Sequence, residues 1–196
     1  LVRSNLLTGN QEKIKMKILM IIGSLRKESF NRQLAEKAAE FLDGKAEVTY
    51  LDYTDVPFMN QDIEDPAPEA VARVRSEFLA ADGLWFFSPE YNHSYTGVLK
   101  NLLDWISRPL EAGNYASGTA IAGKKAAISG AAGQSAAGFS RERLRELLVQ
   151  IKAEVLEEET GVALGAECWQ TGKLVLTEED TVQLQKEAEA FVKYLS

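Results

Sequence analysis

The sequence predicts an α/β protein built on a doubly wound parallel sheet, and three observations carry that expectation. Short apolar runs alternate five times with segments whose apolar residues recur at helical spacing. The runs at 18–22 and 84–87 are unbroken, as in strands covered on both faces, and no internal repeat or low-complexity stretch interrupts the series. Right-handed crossovers between such strands place helices on both faces of one sheet. Ligands of these sheets bind beyond the carboxyl ends of the strands, where the strand order reverses.

The chain has 196 residues, enough for one domain to bury a core without staples. Its 45% apolar and 26% charged residues are those of an ordinary globular protein. A net charge of −7 argues against a nucleic-acid backbone or an anionic membrane as partner, so any bound anion needs a local site. Cys168 and His93 are the only cysteine and histidine, which excludes a zinc site or a disulfide framework. A Ser-His-Asp or Cys-His site could use only His93. No apolar run approaches the ~20 residues of a membrane span and no signal-peptide pattern is present, so a cytoplasmic protein is expected.

Residues 1–15 are polar and lack a periodic apolar face, and Met16 looks like a natural start. They are expected to form a disordered extension or remnant ahead of a single domain over 16–196. The first strand, 18–22, runs into a loop over 23–32, and Phe30, Leu34, Ala38 and Phe41 then mark a helix that ends near Gly44. A second strand is expected at 46–51, and 52–68 is a loop holding three of the five prolines. Val71, Val74 and Phe78 mark a helix, the third strand is 84–87, and a polar loop covers 88–95. Thr96 caps a helix on which Val98, Leu99, Leu102, Leu103, Trp105 and Ile106 leave little polar surface, which calls for cover by the core or by a second subunit. The fourth strand, 125–129, leads into a small-residue loop and a helix with Leu144, Leu147, Leu148 and Ile151 on one face. A short fifth strand is expected about 154–156, residues 161–176 show no clear pattern, and Leu184, Ala188, Phe191 and Leu195 define a last helix.

The first loop carries the chemistry of anion binding. Backbone N–H groups at a helix start, the Ser24 and Ser29 hydroxyls, the Asn31 amide and the Arg26 guanidinium can converge on a phosphate monoester. The same residues also admit a plain helix start, with Ser29 as cap and solvated arginines. The loop has neither G-x-G-x-x-G nor G-x-x-x-x-G-K-[ST]. The second loop, Pro89, Glu90, Tyr91 and Asn92, offers N–H groups, a carboxylate, a ring and an amide that suit the edge of a flat heteroaromatic ring. A Pro-initiated turn with local bonds from Asn92 and Ser94 is the plainer alternative. One loop for a phosphate and one for a flat ring on one sheet edge suit a mononucleotide, and flavin mononucleotide (FMN) fits.

The stretch Ser24-Leu25-Arg26-Lys27-Glu28-Ser29-Phe30-Asn31-Arg32 resembles the S-x-R-x-x-S-x-N-R loop of NADPH-dependent FMN reductases. Pro89-Glu90-Tyr91-Asn92, with Gly97-Val98-Leu99-Lys100-Asn101 and Asp104-Trp105, resembles that family's P-E-Y-N and G-x-L-K-N-x-x-D-W stretch. The resemblance implies a flavodoxin-like fold, five parallel strands in the order 2-1-3-4-5, and FMN as cofactor with NADPH or NADH as donor. It implies that Ser24, Arg26, Ser29, Phe30, Asn31 and Arg32 surround the FMN phosphate, that Pro89, Glu90, Tyr91 and Asn92 line the ring and ribityl, and that Ser129, Gly130 and Ala131 approach from the other side. Ala131 and Ala132 replace the hydroxyls and paired glycines common there, and His93 stands where glycine is frequent.

The implied activity is a two-step transfer from NAD(P)H through FMN to quinones, free flavin, azo compounds or metal oxyanions such as chromate, with no obligatory catalytic side chain. The alternatives are a flavodoxin-like FMN electron carrier that does not oxidise NAD(P)H, and a regulatory protein with weak flavin occupancy. The resemblance also implies a homodimer or dimer of dimers, with helix 98–106 as the subunit surface. Cys168, without a second cysteine or a cationic neighbour, is expected to be a packed or surface thiol.

Overall fold

In the computed structural model, which describes residues 16–196, the first apolar run becomes β1 (Met16–Ile22) at the middle of the molecule. The expected N-terminal extension, residues 1–15, lies outside the described residues. β1 pairs in parallel with β2 (Ala46–Tyr50) on one side and with β3 (Gly83–Phe87) on the other. β3 in turn pairs with β6 (Lys125–Ala132), and β6 with the edge strand β7 (Glu154–Ala163). The order β2-β1-β3-β6-β7 is the expected 2-1-3-4-5 once the two short strands between β3 and β6 are set aside. Those two, β4 (Pro109–Glu111) and β5 (Asn114–Thr119), form a separate antiparallel pair that the sequence pattern did not announce.

Alternation along the central strands builds two cores. Ile18, Met20 and Ile22 of β1, with Trp85 and Phe87 of β3, pack against α1 (Phe30–Leu42) and α6 (Glu178–Leu195) through Leu34, Ala38, Leu184 and Phe191. Leu19, Ile21, Leu84 and Phe86 face the other way, toward α2 (Glu69–Ala80), α3 (Gly97–Ile106) and α4 (Gly138–Gln150). Both faces are covered, which is why these runs lack polar interruptions. Ser29 and Thr96 cap α1 and α3, and Thr177 with Asp180 forms a capping box at the start of α6.

Two expectations change. The apolar stripe of α3 finds its cover within this chain: Leu99, Leu102, Leu103, Trp105 and Ile106 are no more than 1% exposed, and Val98 is half-buried. The third wall that such a helix requires comes from the proline-rich loop, whose Pro57 carbonyl accepts from Asn101 Nδ2 (2.9 Å) and Trp105 Nε1 (2.8 Å). The fifth strand is also longer than 154–156. Between Ala126 and Ile128 of β6 the register of β7 shifts, and the glutamate-rich chain resumes pairing at Glu159. A run of glutamates reads as solvated, yet an edge strand accommodates it, because Glu157 and Glu158 point to solvent at the bulge.

Candidate active site

Three loops meet at the carboxyl edge of the sheet around a cavity of about 260 Å³. The first follows β1. Gly23 N–H donates to the Phe87 carbonyl at 2.7 Å, and a Cβ at Gly23 would stand 2.6 Å from Leu99 Cδ1 of α3, so a larger residue here would displace that buried leucine. Ser24, Arg26, Ser29, Phe30 and Asn31 all reach the cavity. The Arg26 guanidinium lies 4.6 Å above the Phe30 ring, which holds it at the mouth. Ser29 does cap the helix, accepting from Arg32 N–H at 3.4 Å, and lines the cavity as well. The other N–H groups of the first turn of α1 have no carbonyl one turn earlier.

Asn31 is buried and joins two loops. Its amide donates to the Ala131 carbonyl and accepts from the Ala131 N–H, both at 2.9 Å. Arg32 does not follow it. One helical step further round, it lies 5.5 Å over the Tyr50 ring and lines a neighbouring cleft rather than the cavity that Asn31 borders.

Of the second loop, Pro89, Glu90 and Tyr91 line the cavity. Asn92 sits instead at the tip of a tight turn closed by Tyr91 and Ser94, which exchange backbone bonds of 2.9 and 3.1 Å. Asn92 (φ 51°) and His93 (φ 57°) both occupy the left-handed region, as a two-residue primed turn requires. That geometry is why glycine suits position 93. His93 is held there by stacking on Phe139, centroids 4.3 Å apart.

The Glu90 carboxylate is tied to the scaffold rather than poised as a base. Its Oε2 accepts from Ser140 N–H at 3.3 Å, capping α4, whose own N-cap residue, Ala137, provides no side-chain bond. Ser88, Ser140 and the Pro89 carbonyl form a buried cluster with contacts of 2.8–2.9 Å beneath the loop. Glu90→Ala should lower stability by about 1 kcal/mol, the usual worth of an N-cap, read as a shifted urea midpoint at constant m-value.

The third loop reaches the cavity two residues later than expected. Ala131, Ala132 and Gly133 reach the cavity, whereas Ser129 and Gly130 do not line it. Ser129 lies on the same face of β6 as Ala131 but deeper in the core, where its hydroxyl accepts from Trp85 Nε1 (2.9 Å) and donates to Glu187 Oε2 (2.8 Å). Gly130 is pressed against the Ser88 carbonyl and Ala137, with no room for a Cβ. Burial pushes the Glu187 carboxyl up to about 8, resisted only in part by the neighbouring Thr160 and Ser129 hydroxyls.

Sequence reasoning missed the wall formed by Leu164 and Trp169. Trp169 comes from α5 (Ala166–Thr171), meets Phe30 edge-on at 5.3 Å, and remains 62% exposed. An exposed tryptophan in a segment without periodicity was the available signal. Cys168 beside it is buried, with Sγ accepting from Val175 N–H at 3.4 Å, so it is a packing thiol. Among the described residues no cluster of His, Cys, Asp and Glu is suited to a metal ion, and no helix is long and apolar enough to cross a membrane.

An open sheet of this order, with an anion-suited loop and a ring-suited loop bordering one cavity on its carboxyl edge, defines a flavodoxin-like protein. Residues 16–166 match the family model for NADPH-dependent FMN reductases, and the chain belongs to that family. It is 42% identical over 94 residues to a 2-hydroxy-1,4-benzoquinone reductase of a Burkholderia species, covering 48% of this chain and 51% of the relative. It is 37% identical over 145 residues to an NAD(P)H-dependent FMN reductase of Pseudomonas aeruginosa, covering 73% of this chain and 75% of the relative. The chain thus spans about half the length of the first and three quarters of the second. Among solved structures, it resembles the flavoenzyme NAD(P)H:(acceptor) oxidoreductase of Paracoccus denitrificans, with TM-score 0.80, 30% identity, and 92% and 97% of the two chains covered.

Proposed function

We propose that this protein is an FMN-dependent NAD(P)H oxidoreductase that passes electrons in two half-reactions to small-molecule acceptors: quinones, free flavin, azo compounds or metal oxyanions such as chromate. The observation that carries this reading is the meeting of the three loops in one cavity, on a chain of this family. The donor set fits FMN. Ser24, Ser29, the free first-turn N–H groups and Arg26 are groups that a phosphate monoester takes, and no carboxylate forms an ion pair with Arg26 among the described residues. At about 260 Å³ the cavity lies just under the usual range for small-molecule sites, which suits a ligand that keeps one face in solvent for its reaction partners.

Bound FMN supplies the hydride and electron chemistry. The protein's residues bind and orient. The first loop holds the phosphate, Pro89 to Tyr91 border the ring on one side, and Ala131 to Gly133 border it on the other. Trp169 and Leu164 close the wall. Glu90, bound to Ser140, keeps the second loop in register with α4 and transfers no proton. A cytoplasmic homodimer or dimer of dimers belongs to this reading; its support is the exposure of Phe139 (44%) and Tyr91 (55%) beside the cavity, not α3.

Anaerobic stopped-flow absorbance of the FMN-loaded protein tests it. Mixing with NADPH or NADH is expected to bleach the oxidised flavin band, and a quinone added afterwards to restore it. Flavin that binds but is bleached by neither donor would replace the reductase reading with an electron carrier.

A further inference from the structure

Across the first loop from this cavity lies a second cleft, of about 400 Å³, between the chain after β1 and the chain after β2. Ser24 and Arg26 line both spaces, so the loop is a shared wall that one extended ligand can cross. The cleft is basic although the chain carries −7: Arg26, Lys27 and Arg32 face it against a single carboxylate, Asp52. None of the three cations is in an ion pair among the described residues. Asp52 is occupied by Thr54, which donates from its N–H (3.1 Å) and its hydroxyl (2.8 Å). Glu36 stands behind Tyr50, outside the lining.

We propose that this cleft holds the phosphorylated adenylate end of the nicotinamide donor, with Lys27 and Arg32 reading a 2′-phosphate, so that NADPH is preferred to NADH. The proposal rests on the reductase reading. A 2′-phosphate is a dianion that NADH lacks, and it needs cations of its own beyond those that hold the flavin phosphate. Arg32 is turned away from the flavin cavity and lies over the Tyr50 ring, and it forms no ion pair with Asp52, the one carboxylate lining the cleft. Leu25, 57% exposed at the rim, gives the adenine an apolar surface, and the volume falls in the range of small-molecule sites. Asp52 by itself would favour an unphosphorylated ribose. Lys27 and Arg32, the two lining cations that the flavin phosphate does not use, outweigh that one engaged carboxylate and reverse the preference.

Calorimetric titration of the FMN-loaded protein with 2′,5′-ADP and with 5′-AMP is the direct test. The 2′,5′-ADP is expected to bind at least tenfold more tightly, and Lys27→Ala/Arg32→Ala should abolish the gap. In the same variant the ratio of kcat/KM for NADPH over NADH should fall at least tenfold, and Lys27→Arg/Arg32→Lys, which keeps the charges, should recover most of it. Flavin content and circular dichroism confirm that the variants fold. Equal affinities for the two nucleotides, or a gap that survives the alanine pair, overturn the proposal. A protein that shows the gap but is reduced by neither donor keeps the cleft and loses the reductase reading. One reduced equally by both donors, without the gap, keeps the reductase and loses the cleft.

Discussion

Asn31→Ala is expected to destabilise the protein by about 2–4 kcal/mol and to weaken FMN binding on the order of tenfold. The side chain is 2% exposed, and both of its bonds, each 2.9 Å, go to the backbone of Ala131, one hundred residues away in sequence. Truncation removes both and leaves an N–H and a carbonyl buried without partners, each costing about 1–3 kcal/mol. It also frees the third loop from the first, which the flavin must find already in place. Urea unfolding of the apoprotein reads the first effect, and quenching of FMN fluorescence reads the second. Asn31→Asp keeps the acceptor but loses the donor and buries a charge, so it should be no better than alanine. A loss below about 1 kcal/mol for alanine would mean that water re-pairs Ala131 and that the loop does not depend on this link.

The second large effect is a pH dependence of stability at Glu187. Its folded-state pKa is raised to about 8 from an ordinary value of 4.5, because the carboxyl is buried between β6, β7 and α6. The folded protein therefore holds a proton that the unfolded chain releases. The stabilising contribution is present in full below about pH 4.5 and is lost as pH rises toward 8, at about 1.4 kcal/mol per pH unit. Glu187→Gln keeps an oxygen to accept from Ser129 and adds an N–H₂ that can donate to the neighbouring Thr160 hydroxyl. Between pH 5 and 7.5 the native protein should lose on the order of 3 kcal/mol more than the glutamine variant. Urea midpoints of the two proteins measured across that interval decide it. Parallel curves would show that Glu187 is already ionised in the fold.

Much of the architecture was legible because its signals are local. The strands at 18–22 and 84–87 announce double burial through five and four adjacent residues, and the helices after them through 3.6-residue spacing. The first two loops likewise carry their donors within a few positions of a strand end. Residues 161–176 gave no such signal, because β7 ends there as an edge strand and α5 is a single short helix whose tryptophan packs on Phe30.

The sequence by itself determined the sheet, its alternation with helices, and a phosphate-suited loop beside a ring-suited one, all properties of covalent neighbours. Tertiary structure alone decided which side chains face the cavity. Ser129 and Ala131 are two residues apart, yet the first bonds Glu187 while the second, where β6 runs out, is held by Asn31 at the site. Asn31 and Arg32 are adjacent, yet the rotation that buries Leu34 and Ala38 of α1 turns one to β6 and the other to Tyr50. The stripe of α3 found its cover in the proline-rich loop of its own chain. Periodicity states that a face exists; what covers it, and which residue at its end is left pointing at a ligand, is set by the packing of elements far apart in the chain.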